Sequence, residues 1–85
     1  MTAESVLATQ RTLTHSLARE RWGLPDEREG SVNDPRTREE HGIRYNEKWI
    51  YFLPEGGRRL VYWHRYDFRA ALVESADGST HEENV

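Results

Sequence analysis

The chain has 85 residues, 35% hydrophobic and 32% charged, with a formal net charge of −3 and no cysteine. A chain of this size forms one small domain with a marginal core of its own. Without cysteine, disulfides, thiolate zinc sites and cysteine nucleophiles are excluded, and oligomerisation or a bound partner is the staple that remains.

Residues 3–22 have the pattern of an amphipathic helix. Thr2 can cap its start, and Glu4 sits in the first turn, where the helix dipole favours negative charge. Val6, Gln10, Leu13 and Leu17 fall at helical spacing, flanked by Ala3, Leu7 and Ala18. Gly23 and Pro25 stop the helix after Trp22. A stripe this narrow needs something to pack on.

Residues 23–42 read as a loose connector. Their large apolar residues are Leu24 and Val32, and Pro25, Gly30, Asn33-Asp34-Pro35 and Gly42 break the pattern. One or two helical turns from Asp34 to Glu40 would have no apolar face to hold them. Loops of this length usually mean function or disorder.

Eight of the nine aromatic residues lie between Tyr45 and Phe68. Residues 44–74 are also the one mildly basic part of the chain, with six basic and four acidic groups. Residues 43–74 form the β-hairpin region, rich in aromatic and β-branched residues around Gly56-Gly57. With those glycines at the centre of the turn, Glu55 faces Arg58, Leu53 faces Leu60, Phe52 faces Val61, Tyr51 faces Tyr62, Ile50 faces Trp63 and Trp49 faces His64. Alternation then puts Ile50, Phe52, Val61 and Trp63 on one face. Trp49, Tyr51, Leu53, Leu60, Tyr62, His64 and Tyr66 fall on the other. A longer turn would shift the register and remix the faces. Residues 67–74 fit a strand or a helix capped by Asp67; unbroken alternation favours strand. Residues 75–85 are polar and acidic and read as a flexible tail.

The predicted fold class is α+β, in one domain spanning 1–85. An N-terminal amphipathic helix packs on a long aromatic-rich antiparallel β-hairpin, with a loose connector and a disordered acidic C-terminal tail. The helix stripe suits the first hairpin face. The second face pairs apolar bodies with polar ends, the kind of residue enriched at interfaces. Segment 67–74, a second copy of the chain, or a partner protein must cover it. The leading functional expectation is a non-catalytic accessory subunit, adaptor or regulator. It would bind a protein partner, or itself as a homo-oligomer, through Trp49, Tyr51, Tyr62, His64 and Tyr66.

Two other classes stay open. Arg58, Arg59, Arg65 and Arg69 interleave with Tyr62, Trp63, Tyr66 and Phe68, as on a single-strand nucleic-acid surface, although the chain is acidic overall. His64, Tyr66 and Asp67 could serve a small enzyme or ligand-binding subunit whose pocket forms only in an oligomer. Arg65, Asp67 and Arg69 would share a strand face, as an anion site or a solvated charge ladder.

The four histidines, His15, His41, His64 and His81, lack metal-ligand spacing. Gly56-Gly57 lacks the Lys-Ser/Thr ending of a phosphate loop. No catalytic residue, metal or cofactor is therefore predicted. No run approaches the roughly 20 apolar residues of a membrane span. The opening Met-Thr-Ala-Glu-Ser lacks the basic start and apolar core expected of a signal peptide. A cytoplasmic protein without membrane contact is the expectation.

Overall fold

A computed structural model describes residues 13–83. Among the described residues one helix, α1 (His15–Trp22), precedes seven strands: β1 (Glu27–Gly30), β2 (Arg38–Glu40), β3 (Ile43–Tyr45), β4 (Glu47–Phe52), β5 (Arg58–His64), β6 (Asp67–Glu74) and β7 (Thr80–Glu82). All pairings are antiparallel. Five strands form one sheet in the order β1-β4-β5-β6-β7, and β2-β3 form a separate ribbon.

This corrects the expected fold class. The described residues are mostly antiparallel sheet with one short helix, which starts only after its cap at Thr14, so the expected helix is not continuous through Leu13 and Thr14. The expected Thr2 cap and the positions Ala3, Val6, Leu7 and Gln10 lie outside the described residues. The connector is not loose, because it supplies β1 and β2. The tail is not structureless over 80–82, because β7 pairs with β6.

Thr14 caps α1, its Oγ1 accepting the Leu17 N–H at 3.1 Å. Gly23, at φ 80, ends the helix, its N–H donating to the Arg19 carbonyl at 2.7 Å. Eight residues are too few for a stable isolated helix, so packing holds it. Leu13 and the fully buried Ala18 meet the sheet, with Trp22 half-buried beside them. Leu17, expected on the packed stripe, is instead 46% exposed.

The β4–β5 connection is longer than a two-residue turn. Gly56 N–H donates to Leu53 O at 3.0 Å, and Leu53 N–H to Gly57 O at 2.9 Å. Pro54 and Glu55 therefore sit at the centre of the turn, where proline presets φ, and Gly56 follows at φ 97. A side chain at Gly57 would collide with the Glu74 carbonyl on β6. The observed partners are Phe52↔Arg58, Tyr51↔Arg59, Ile50↔Leu60, Trp49↔Val61, Lys48↔Tyr62 and Glu47↔Trp63. Tyr51 thus faces Arg59 rather than Tyr62. An odd displacement moves every β5 side chain to the opposite face relative to β4, so the two expected faces are remixed.

The helix side of the sheet buries Trp49, Tyr51, Val61, Trp63 and Ala71 beneath Leu13 and Ala18. The other side buries Ile50, Leu60, Tyr62 and Leu72 beneath Tyr45, with Ile43 at the margin. The β2–β3 ribbon therefore covers the side of the sheet that the helix leaves open, and the residues of the expected partner face are divided between the two sides. The edge strands β1 and β7 are exposed and charged, which disfavours edge-to-edge pairing.

Candidate functional site

The β5–β6 connection is a two-residue turn, since His64 pairs with Asp67. Its central residues, Arg65 and Tyr66, have φ of 51° and 78°. Turns with two positive φ values normally use Asn-Gly. A bulky residue held there costs about 1–3 kcal/mol, and such strain gathers at functional sites. Asn46, 1% exposed, secures the turn. Its Oδ1 accepts the Arg65 N–H at 3.0 Å, and its own N–H donates to the Trp63 carbonyl at 3.0 Å. Its Nδ2 donates to the carbonyls of Val32 at 3.1 Å and Asp34 at 3.2 Å. Gly30 is the other fixed point: at φ 72, a side chain there would collide with the Asn46 carbonyl.

The turn raises Tyr66, 66% exposed, at the rim of an open cleft of about 560 Å³. His15, Glu47 and Trp49 form its wall, with Arg19 and Arg28 also lining it. Glu47 has a side chain only 5% exposed. A buried carboxylate needs partners at both oxygens, and Glu47 has them. His15 Nε2 lies 2.9 Å from Oε1, and Trp49 Nε1–H donates to Oε2 at 2.8 Å. The His15 ring stacks on Trp63 at 4.0 Å and meets the edges of Trp49 and Tyr66 at 5.0 and 5.4 Å. The Arg28 guanidinium stands 5.9 Å from the Trp49 ring centre.

A second concavity, of about 380 Å³, lies beside the same hairpin and is lined by Thr37, Arg44, His64 and Arg69. The β5–β6 register slips between Tyr62 and Trp63: Tyr62 pairs with Ala70 and Trp63 with Phe68. Arg69 is the extra residue of this bulge.

The ribbon side holds a third polar cluster. Lys48 Nζ lies 2.9 Å from Glu40 Oε1 and 3.4 Å from Glu29 Oε1, with the lysine side chain 6% exposed. The Tyr62 hydroxyl donates to Glu40 Oε1 at 3.0 Å. Desolvation pushes the Glu40 carboxyl up, but hydrogen bonds from Lys48 and Tyr62 outweigh it and leave it below its ordinary value. Burial, then the Glu40 charge, pushes the Tyr45 phenol up to about 12. Burial and the hydrogen bond to Glu40 also push Tyr62 far up.

The expected site residues are dispersed. Trp49, Tyr51 and Tyr62 lie in the core at 1%, 5% and 0% exposure, and on both sides of the sheet. Tyr66 and His64, expected on one face, line separate concavities. Arg58 is engaged by Glu74 at 2.8 Å. Arg59 is engaged by Glu83 in two bonds of 2.7 and 2.9 Å, with its guanidinium 5.0 Å from the Trp22 ring centre. Among the described residues Arg65 and Arg69 have no ion pair. Arg65 lies in the turn and Arg69 in the bulge, so with Asp67 they do not form the expected strand-face row. His15, Glu47, Arg28 and Arg44 were not singled out from sequence. Glu47 alternates with Trp49 and Tyr51 on one strand, and an acid in that phase was the available signal.

Among the described residues no group of three or more His, Asp or Glu side chains could hold a metal ion, and no helix is long and apolar enough to cross a membrane. In comparisons with known proteins, the chain matches no family model, no curated protein and no solved structure.

Proposed function

We propose that this chain is a small binding module that takes a planar, acidic small molecule in the cleft between α1 and the β5–β6 turn. The observation that carries the reading is Tyr66, an exposed ring held over the cleft by a strained backbone. Ligand pockets combine apolar and aromatic walls with a few placed polar groups. Here Tyr66 supplies the exposed ring, with His15 and the buried Trp49 behind it, and Arg19 and Arg28 supply cations suited to a carboxylate or similar anion. Both Glu47 oxygens and His15 Nε2 are engaged within the wall. The wall therefore offers shape rather than a free general base, which favours binding over catalysis.

Protein docking through the hairpin aromatics, the leading expectation from sequence, is less favoured because Trp49, Tyr51 and Tyr62 already pack inside the chain. The cleft forms within one chain and includes Tyr66 but neither His64 nor Asp67, so it differs from the oligomer pocket expected around those three residues. The test is an amide-resonance titration with benzoate and indole-3-acetate. Saturable shifts at Ser16, Arg19, Arg28 and Tyr66 are expected, weakened at least tenfold by Tyr66→Ala or Arg28→Ala. Shifts indifferent to both substitutions would sink the reading.

A further inference from the structure

We propose that the concavity on the ribbon side of the β5–β6 hairpin binds the phosphate of a small phosphomonoester, through Arg44, Arg69, His64 and Thr37. Each comes from a different place in the chain: β3, the β6 bulge, the end of β5 and the segment before β2. No carboxylate lines the cavity. That sets its arginines apart from Arg36, Arg38, Arg58 and Arg59, which each have a carboxylate partner. Glu39 stands opposite Arg44 in the ribbon, and Asp67 opposite His64 in the hairpin. Neither forms an ion pair with Arg44 or Arg69 among the described residues. Arg44 and Arg69, both exposed, line one cavity without a carboxylate among its lining residues, so a bound dianion there would meet two like charges that favour it.

The backbone supports the same assignment. Bulges re-aim side chains and recur beside binding sites, and the residue this bulge adds is Arg69. The strained Arg65-Tyr66 turn lies in the same hairpin. Guanidinium groups suit phosphate because their paired N–H groups match two of its oxygens. The hydroxyl of Thr37 adds a donor that requires no charge. A small monoester is favoured over a nucleic-acid strand for two reasons. The chain carries a net charge of −3, which repels a long polyanion. Arg58 and Arg59, which would extend the track, are already held by Glu74 and Glu83.

The test is a titration of isotope-labelled chain with phenyl phosphate, inorganic phosphate and single-stranded oligonucleotide, at constant ionic strength with chloride as control. Phenyl phosphate should give saturable shifts at Thr37, Arg44, His64 and Arg69, binding at least as tightly as inorganic phosphate. Arg44→Gln and Arg69→Ala should each weaken it at least tenfold, and Arg58→Ala should leave it unchanged. Arg44→Gln, at an exposed ribbon position, serves if Arg69→Ala perturbs the hairpin. The proposal is overturned by shifts that chloride reproduces, by equal weakening in Arg58→Ala, by binding of inorganic phosphate alone, or by tighter binding of the oligonucleotide. Tyr66→Ala should not alter phosphate binding, so this site and the aromatic cleft stand or fall separately.

Discussion

Glu47 and Lys48 are neighbours on β4, buried on opposite sides of one sheet. On the helix side, Glu47 bonds His15 at the start of α1; on the ribbon side, Lys48 bonds Glu40 on β2. Each buried charge therefore ties down the element that covers its own face. The two sides then differ in what remains open. Around Lys48, the Tyr45 and Tyr62 rings pack beside the ammonium, and the concavity on that side is lined by other residues, Thr37, Arg44, His64 and Arg69. Around Glu47, the wall faces a cleft and an exposed tyrosine. The same device is architectural on one side and doubles as a ligand wall on the other.

The strongest way to break this comparison is to remove a ring from either face. Trp49→Ala and Tyr62→Ala should each cost about 3–5 kcal/mol as large-to-small core changes. That is a large share of the 5–15 kcal/mol typical of a folded domain. Urea unfolding followed by circular dichroism measures it. If either variant kept nearly full stability but lost a binding partner, the ring would be an interface residue and the docking reading would return.

The next test separates the two charged tethers. Lys48→Ala removes both the ammonium and its buried stem, and should cost about 2–3 kcal/mol. Glu47→Gln keeps the shape and the acceptor for Trp49 Nε1–H, and should cost about 1–2 kcal/mol. Amide exchange should localise the effects: faster exchange in β2 and β3 for the first, faster exchange in α1 for the second. Uniform acceleration in both variants would mean that the covers are not independently tethered.

Acid and alkali address the ribbon side. The Glu40 carboxyl is held below its ordinary 4.5 in the folded chain, so the unfolded chain binds its proton more readily. Its contribution to stability is full above pH 4.5 and is lost as pH falls through the lowered folded value. Glu40→Gln should flatten that acid limb. At the other extreme, Tyr45 titrates at about 12 when folded against 10.0 when exposed. Its contribution is full below pH 10 and disappears between pH 10 and about 12, and Tyr45→Phe should lessen the alkaline loss of stability, the rest coming from Tyr62 and Tyr51, whose phenols burial also pushes up.

The aromatic strands were legible in the sequence, but Trp49, Tyr51 and Tyr62, expected at an interface, lie in the core. The hairpin region, the end of the helix at Trp22 and the strand reading of 67–74 all follow from local pattern. The register did not, since Gly56-Gly57 drew attention from Pro54, which starts the turn. That three-residue difference in partners changed both faces, and with them the expected interface. Strand β1, Glu-Arg-Glu-Gly, and strand β7, Thr-His-Glu, have no apolar alternation. They form because β4 and β6 offer unpaired backbone edges, a tertiary cause that local pattern does not carry. The cleft was hidden for the same reason: His15 and Glu47 are thirty-two positions apart, and only the packing of α1 on β4 joins them.

The smallest expected effect has the opposite sign. Tyr66→Gly places glycine where φ is 78°, relieving strain at no steric cost. It should stabilise the chain by about 1 kcal/mol, set against the greater backbone entropy that glycine loses on folding. Ligand binding at the cleft should fall at the same time, because the exposed ring is gone. A chain that gains stability and loses binding would show that the tyrosine is kept there against its conformational preference. A chain that loses stability would mean that the Tyr66 contact with His15 supports the fold, and that the ring belongs with the core rather than with the site.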